Sequence, residues 1–259
     1  MDYQNIIIEK QRNIGILTLN RPGKHNALNT QFYREIILGI LDFEKADGVH
    51  VILLRSNGKN FCVGRDISET HDGIWERRCN TEAGGFAKLA NLLATIRKPV
   101  IAAVQGLATA GGCGLALSCD LVIASEDARF GMTAINVGLF CFGPSVPLCR
   151  SVGRKKSLEL LLTGVLVDAA EAKKIGLVNH VVPLERLKEA AMELAKRLAD
   201  KSHIALQIGK QGFYAMADME YKKALAYAED LGLILTSTHD ADEGIKAFLE
   251  KRTPNWEGH

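Results

Sequence analysis

The pattern of apolar and polar positions changes from strand-like to helical within the first 50 residues. Residues 5–19 contain two apolar runs separated by the polar segment 11–13, which predicts a β-hairpin. From residue 29 to residue 46 the apolar side chains recur at helical spacing, so an amphipathic helix is predicted there. Residues 49–54 form a short apolar run that predicts a buried strand.

This alternation of strand and helix recurs further along the chain. A glycine-bearing loop at 57–65 precedes a predicted helix at 83–97, which is followed by the apolar strand "PVIAAVQG". A short helix at 111–119 and the strand "DLVIAS" form a third unit. Strands that alternate with helices indicate an α/β fold with a mostly parallel sheet.

The last part of the chain has a mainly helical pattern of apolar positions. After Pro144 the pattern is helical almost to the end, and the last two predicted helices, at 219–238 and 240–251, are amphipathic. Such helices either fold back on their own sheet or pack on a neighbouring subunit. Because we find no linker or low-complexity stretch, we predict one continuous domain, with a core at 1–200 and a helical region at 201–259.

Composition narrows the function classes. The 259 residues are 47% hydrophobic, and 32 basic against 30 acidic side chains give a net charge of +2, which favours neither a nucleic acid nor a membrane partner. The first residues lack a targeting pattern, so we expect a cytoplasmic protein. The six cysteines form no C-x-x-C pair, and we expect no metal site; most cysteines are predicted to be reduced core residues.

Two glycine-bearing loops each follow a strand and open towards a helix. They are "GKNFCVGRD" at 58–66 and "GLATAGG" at 106–112. The second runs directly into a helix, whose first N–H groups have no intrahelical partner and attract negative charge. The loops could therefore hold an oxyanion, although glycines in tight turns or at helix–sheet contacts would give the same pattern.

Several sequence blocks, taken together and in order, resemble the enoyl-CoA hydratase/isomerase (crotonase) superfamily. They are "LNRPGKHNALN", "GKNFCVGRDISE", "KPVIAAVQGLATAGGCGLALSCDLVIASEDARFG", "LLLTG", "DAAEAKKIGLVNHVVP" and "DEGIKAFLEKRTPNWEGH". The segment "NVGLFCFGPSVPLCRSVGRKKSLELLLTG" is most similar to the branch called enoyl-CoA hydratase domain-containing protein 3. The resemblance implies a spiral of ββα units with a C-terminal helical trimerisation region, and a homotrimer or a hexamer made of two trimers.

The resemblance also implies an acyl-CoA thioester as substrate, with coenzyme A as part of that substrate and no separate cofactor. In the family two backbone amides hold the thioester carbonyl, and their positions fall here on Arg65 and Gly111. An aromatic residue and a lysine near the C-terminus reach the adenine end from a neighbouring subunit. The positions that the resemblance assigns to coenzyme A binding are Lys24, His25, Ala27, Arg65, Asp66, Ile67, Phe248 and Lys251.

The two glutamates that the familiar hydratases use as acid and base are absent. Their positions fall on Gly114 and Ala134, so ordinary hydratase activity is doubtful, and the space could admit a bulkier acyl group, a water or a small anion. Phe140 and Cys141 complete the expected acyl pocket; the thiol is predicted to be inert core filler rather than a nucleophile. Other ionisable side chains follow the first loop, and one of them could carry a proton: Asp66, Glu69, His71, Asp72 and Glu76.

Three functions remain open from the sequence. The first is an enzyme, a lyase or isomerase, that stabilises a thioester enolate with an unidentified proton carrier. The second is a non-catalytic acyl-CoA binding protein with the same fold. The third is hydrolysis or decarboxylation of an acyl-CoA, which the same oxyanion site could support.

Overall fold

Nine strands form the sheets in the part of the chain that the structure describes. A computed structural model describes residues 3–71 and 85–259, apart from the side chains of residues 70 and 71. The strands are β1 (Ile6–Gln11), β2 (Ile14–Leu19), β3 (Val51–Ser56), β4 (Val100–Val104), β5 (Leu107–Thr109), β6 (Leu121–Ser125), β7 (Arg129–Gly131), β8 (Leu166–Asp168) and β9 (His180–Val182) within the described ranges.

The described helices lie between these strands and at the C-terminus. The helix α5 is kinked at Gly153, which adopts a non-helical conformation. The helices are α1 (Thr30–Lys45), α2 (Ser68–His71), α3 (Phe86–Thr95), α4 (Gly111–Ser118), α5 (Phe142–Thr163), α6 (Ala169–Lys174), α7 (Leu187–Ala199), α8 (His203–Met216), α9 (Tyr221–Thr236) and α10 (His239–Glu250).

The larger sheet has the strand order β1-β2-β3-β4-β6-β9. Strands β1 and β2 form the antiparallel hairpin that the sequence predicts, and every later pair in this sheet is parallel. Helix α7 covers one face, where Leu187, Ala191 and Leu194 pack on the sheet. Helices α1, α3 and α4 lie on the other face, so β2 and β4 are buried along their whole length.

The smaller sheet positions the second glycine loop. Strand β5 pairs in parallel with β7, which pairs antiparallel with β8. Helix α4 begins two residues after β5 ends, and its residues 112–118 are all buried. An apolar helix of this kind belongs in the interior, so the N-terminus of α4 is fixed relative to the sheets.

A partly buried cluster of polar and charged side chains attaches the C-terminal helices to the larger sheet. The Asp120 carboxylate, just before β6, accepts hydrogen bonds from Val100 N (2.6 Å) and from the Tyr214 hydroxyl (3.0 Å). It also forms a 2.8 Å ion pair with Lys210 of α8. Burial and the adjacent carboxylate raise the pKa of Tyr214, which keeps the hydroxyl protonated as a donor. Asp120 therefore has a structural role. The division at residue 200 stays a prediction.

A second carboxylate holds the C-terminal tail against α10. Asp240 is 2% exposed and accepts hydrogen bonds from Ser202 Oγ (2.6 Å), Glu257 N (2.8 Å) and Gly258 N (3.0 Å). Burial alone would raise the pKa of Asp240, but these hydrogen bonds outweigh it and lower the pKa below its ordinary value. A carboxyl group with a lowered pKa stabilises the fold above its unfolded-state pKa and loses that contribution as the pH falls through the folded-state pKa.

We expect Asp240→Asn to reduce the free energy of unfolding at pH 7 by about 1–3 kcal/mol, because the amide nitrogen cannot accept the donors that the carboxylate accepts. The difference from the unmodified protein should shrink as the pH falls below about 4, where the unmodified carboxylate also begins to be protonated. Denaturant unfolding at several pH values measures this. Asp242→Asn on the same helix is the control, because its carboxylate is exposed and only pairs with Lys246; an equal loss in both variants would contradict the assignment.

The predicted fold class is confirmed, and the differences lie at element ends. The helix predicted at 83–97 is described over Phe86–Thr95, and the one predicted at 219–238 over Tyr221–Thr236. Pro144, expected to precede the helical region, lies inside the first turn of α5. None of the helices in the described ranges is long and apolar enough to cross a membrane.

Candidate active site

The first glycine loop is held between two other segments by backbone hydrogen bonds. Cys62 forms a parallel bridge with Ala108 of β5, and Arg65 forms a parallel bridge with Leu28. Thr109 N donates to Cys62 O (3.0 Å), so the bridge reaches the end of β5. The loop therefore runs alongside the second glycine segment in the same direction.

This register brings the two predicted amides together. Arg65 and Gly111 each lie three residues beyond the paired residues Cys62 and Ala108, so two parallel segments deliver them to the same place. A Cβ added to Gly111 would lie 3.7 Å from Arg65 N, and one added to Gly64 would lie 2.9 Å from Gly111 N. Gly64 has φ +92°, so both the positive φ and this close approach require glycine there.

Both N–H groups are directed away from their own neighbouring strands. Leu28 N donates to Gly64 O and Asp66 N donates to Leu28 O, so the alternation of an extended chain turns the Arg65 N–H to the opposite side. Gly111 is the first residue of α4, where N–H groups have no intrahelical acceptor. The preceding Ala110 has φ 47° and ψ −118°, a strained conformation for alanine that fixes the turn into α4.

A cavity of about 950 Å³ opens in front of these amides. Its lining is mostly apolar, as is typical of small-molecule sites. Arg65 and Gly111 both line it, together with Ala27, Asp66, Ile67, Ala134, Phe140 and Cys141 from the predicted site. The structure thus brings together residues that are far apart in sequence.

Gly114 does not line this cavity, which corrects the prediction that it leaves free room in an acyl pocket. A Cβ on Gly114 would lie 2.7 Å from Phe86 Cε2 and 2.7 Å from Pro144 Cβ. The Phe86 ring and Pro144 therefore already fill the space beside Gly114, and both line the cavity in its place. Nothing in the sequence pattern indicates this contact, because Phe86 lies in a different loop–helix unit.

Cys141 lies near the other vacant acid position. It is 6% exposed, and burial raises the pKa of its thiol, although a hydrogen bond from the Ala134 backbone opposes that effect. A thiol with a raised pKa is a poor nucleophile at neutral pH. The rings of Phe140 and Phe142 on either side are 4.8 Å apart, so the surroundings are apolar.

The carboxylates after the first loop brace the backbone. Asp66 accepts from Arg21 (2.6 Å) and from Ser68 Oγ (2.7 Å); burial would raise the pKa of Asp66, but these hydrogen bonds lower it overall. Glu69 accepts from Thr30 N and Thr30 Oγ1, both at 2.9 Å, at the start of α1. The other proposed proton carriers lie outside the described residues: Asp72, Glu76 and the side chain of His71.

Tyr33 is a cavity residue that the sequence analysis missed. It lies on the buried face of α1, is 2% exposed and lines the cavity. Its hydroxyl is 3.4 Å from the position that a Cβ on Gly111 would take. The helical pattern of α1 predicted an apolar face and gave no reason to single out this hydroxyl.

One trio of possible metal ligands occurs among the side chains that the structure describes. His239, Glu257 and His259 each place a ligand atom within 4.8 Å of the others, and all three are exposed. The trio forms because the tail returns to the start of α10, which the sequence analysis did not foresee. The expectation of no metal site stays a prediction.

The comparisons with known proteins identify the family of this chain. Residues 9–259 match the model of the enoyl-CoA hydratase/isomerase family. A probable enoyl-CoA hydratase of Rhizobium meliloti is 38% identical over 254 residues, covering 97% of both chains. This chain belongs to the enoyl-CoA hydratase/isomerase family.

Proteins of the predicted branch, enoyl-CoA hydratase domain-containing protein 3, are among the relatives that this chain resembles. Enoyl-CoA hydratase domain-containing protein 3 of Rattus norvegicus, described as mitochondrial, is 36% identical over 95% of this chain and 82% of its own length. The crystal structure of the human protein of that name superposes with a TM-score of 0.93 at 33% identity, covering 98% of this chain and 100% of that one. The similarity to this branch, which the segment at 136–164 predicts, is thereby confirmed.

In this member of the enoyl-CoA hydratase/isomerase family, the single chain brings only some of the residues predicted to bind coenzyme A to the cavity. Ala27 and Ile67 line the cavity. Lys24 and His25 precede Ala27 in the chain, are exposed and do not line the cavity. His25 Nδ1 lies 3.1 Å from Asn60 Nδ2 in the first loop. Phe248, 82% exposed, and Lys251 are on α10 and its C-terminal end, and the single chain does not bring them to the cavity.

Proposed function

We propose that this protein binds an acyl-CoA thioester and stabilises the enolate formed from it. The observation that carries the proposal is the convergence of the Arg65 and Gly111 amides at the cavity. Preorganised backbone donors stabilise a developing oxyanion, and loss of one such donor typically reduces kcat about 100- to 1000-fold. Arg65 can serve through its backbone, so its side chain does not limit this role.

Coenzyme A enters this proposal as part of the substrate, with no separate cofactor. The thioester would extend from the amides past Ala27 and Ile67, which line the same cavity. Lys24 and Arg65 are the cations that we assign to the phosphates, with His25 and Asp66 beside them. Phosphate recognition by basic side chains is the ordinary chemistry for such a group.

The site has donors for the thioester oxygen but, in the part of the chain that the structure describes, lacks an obvious group to transfer the proton. Asp66 is the one carboxylate among the described residues lining the cavity, and Arg21 and Ser68 already engage it. A positioned acid or base contributes about 100- to 10,000-fold, so we do not expect hydration at ordinary rates. The proton carrier for a lyase or isomerase reaction is unassigned.

Three alternatives follow from a site that has oxyanion donors but no assigned proton carrier. A binding protein for acyl-CoA would need only the cavity and the amides. Decarboxylation is also compatible with the site, because loss of carbon dioxide generates the enolate without removal of a proton by a base. Hydrolysis would use the same oxyanion donors but requires an activated water.

The purified protein should therefore be assayed with enoyl-, dienoyl-, malonyl- and aromatic acyl-CoA thioesters, with binding measured by calorimetry in parallel. We expect each accepted thioester to bind more tightly than free coenzyme A, and at least one to be converted. Binding without conversion across the panel would favour the acyl-CoA binding protein. Affinity no better than that of free coenzyme A would overturn both functions.

The oligomeric state belongs to the same proposal. Helix α9 has 16 residues, and none of them is buried in the single chain. Its apolar side chains Leu233 and Ile234 are 71% and 53% exposed. On α10, Phe248 and Leu249 are 82% and 73% exposed. Apolar surface of this extent marks an interface, and we assign it to a homotrimer or a hexamer of two trimers.

We expect Leu233→Asp to shift the molecular mass in solution from that of a trimer or hexamer towards that of a monomer, because a carboxylate cannot be buried unpaired in the interface. Light scattering coupled to size-exclusion chromatography measures this. Lys222→Ala on the same helix is the control and should leave the mass unchanged. A monomeric unmodified protein would refute the oligomer and the assignment of Phe248 and Lys251 to a neighbour's coenzyme A.

The compartment stays a prediction. We propose the cytoplasm, on the sequence pattern alone, although relatives such as the protein from Rattus norvegicus are described as mitochondrial. Fractionation of cells that express the protein at its native level tests this.

A further inference from the structure

The Phe86 ring occupies a specific place in the wall of the cavity. Cβ atoms added to Gly114 and to Gly143 would lie 2.7 Å from Phe86 Cε2 and from Phe86 Cδ1, respectively. The ring is therefore inserted between these two glycines, and Pro144 contacts the same space. Phe86, Gly143 and Pro144 all line the cavity, so its surface here is aromatic and aliphatic.

This wall lies directly beyond the oxyanion amides. Gly111 and Gly114 are separated by three residues on α4, so they lie on the same face of the helix about one turn apart. The backbone of Gly114 is already paired, because its N–H donates to Ala110 O (3.0 Å) and its carbonyl accepts from Ser118 Oγ (2.8 Å). If Arg65 N and Gly111 N bind the carbonyl oxygen of an acyl chain, the first carbons beyond that carbonyl would contact this wall.

We propose that Phe86 is a specificity-determining residue that selects acyl groups with no polar substituent on the first carbons beyond the carbonyl. The proposal rests on the acyl-CoA function above and narrows its substrate class to apolar acyl chains. A hydroxyl at the β carbon that packs against Phe86, Gly143 and Pro144 would lose its hydrogen bonds to water. None of these residues has a polar side-chain atom to replace them. An unpaired buried hydroxyl lowers affinity by about 10- to 100-fold.

A matched pair of ligands tests this selection. Butyryl-CoA and 3-hydroxybutyryl-CoA differ by the hydroxyl alone, and free coenzyme A reports the affinity of the shared part. We expect butyryl-CoA to bind the unmodified protein about 10- to 100-fold more tightly than 3-hydroxybutyryl-CoA. Phe86→Ala should bring the two affinities close together, because the space that it opens can admit water to the hydroxyl. Phe86→Leu keeps an apolar wall and should keep most of the difference.

The outcomes separate this inference from the proposed function. Equal affinities of the two thioesters in the unmodified protein, both above that of coenzyme A, would overturn the role of Phe86 and leave the function intact. Thioesters that bind no better than coenzyme A would overturn the function itself. A difference that Phe86→Ala leaves unchanged would also reject the inference.

The position of the ring is tested without any ligand. Gly143→Ala places a Cβ 2.7 Å from Phe86, the one neighbour at clashing distance among the residues that the structure describes. The change should therefore lower the melting temperature when it is made in the otherwise unmodified protein. The same change should have much less effect in the Phe86→Ala background, since the clashing atoms are gone. Equal effects in both backgrounds would show that the ring is not inserted there.

Discussion

Replacing Gly111 with proline is expected to reduce kcat on any accepted thioester about 100- to 1000-fold, since proline removes one of the two amide donors. Proline is favoured at the first position of a helix, and Gly111 is the first residue of α4. Among the described residues, the nearest neighbour of a Cβ there would be the Tyr33 hydroxyl at 3.4 Å. The Cβ of proline therefore fits at this position, and loss of the donor is the main effect that we expect on kcat.

Gly111→Ala is the matched comparison for this prediction. It adds the same Cβ but keeps the N–H, so it should lose far less activity than Gly111→Pro. The melting temperatures of both variants identify any loss that comes from unfolding. Equal activity in the proline variant and the unmodified protein would remove Gly111 from the oxyanion site.

The second large effect is expected one residue further along. A Cβ on Gly112 would lie 2.0 Å from Cys62 O, a backbone atom of the first loop. Gly112→Ala must therefore push apart the two segments that carry the amides. Misplacement by about 1 Å can cost 100-fold in rate, and the overpacking should reduce the free energy of unfolding by about 1–3 kcal/mol.

Steady-state kinetics and denaturant unfolding of Gly112→Ala measure these two losses. Gly209→Ala is the control for glycine replacement in a helix, because a Cβ there has no neighbour within 4 Å in residues 3–71 and 85–259. It should leave the activity unchanged. Normal activity in Gly112→Ala would mean that the separation of the loops does not set the position of the donors.

The sequence predicted the parts of the site that depend on local pattern. The hairpin, the short helix at Gly111–Ser118 and the two glycine loops all follow from apolar periodicity and from glycine placement. The equal spacing of Arg65 and Gly111 beyond the Cys62–Ala108 bridge was not visible, because strand register is a tertiary property. The resemblance supplied that pairing instead.

Contacts between distant segments account for what the sequence did not predict. Phe86 reaches Gly114 from another unit, and the Tyr33 hydroxyl reaches Gly111 from α1. Asp240 accepts hydrogen bonds from two backbone amides of the C-terminal tail, which lie 17 and 18 residues further along the chain. None of these contacts leaves a periodic signal, since each joins a single side chain to one place in the folded chain.

The two donors at Arg65 and Gly111 belong to the main chain, and main-chain amides do not titrate under physiological conditions. Acidification or alkalinisation should thus leave their hold on a carbonyl oxygen unaltered, as long as the fold persists. Inflection points in a pH–rate profile of this protein would consequently come from side chains or from the substrate, and replacing each ionisable side chain of the cavity in turn would identify the group that moves the proton.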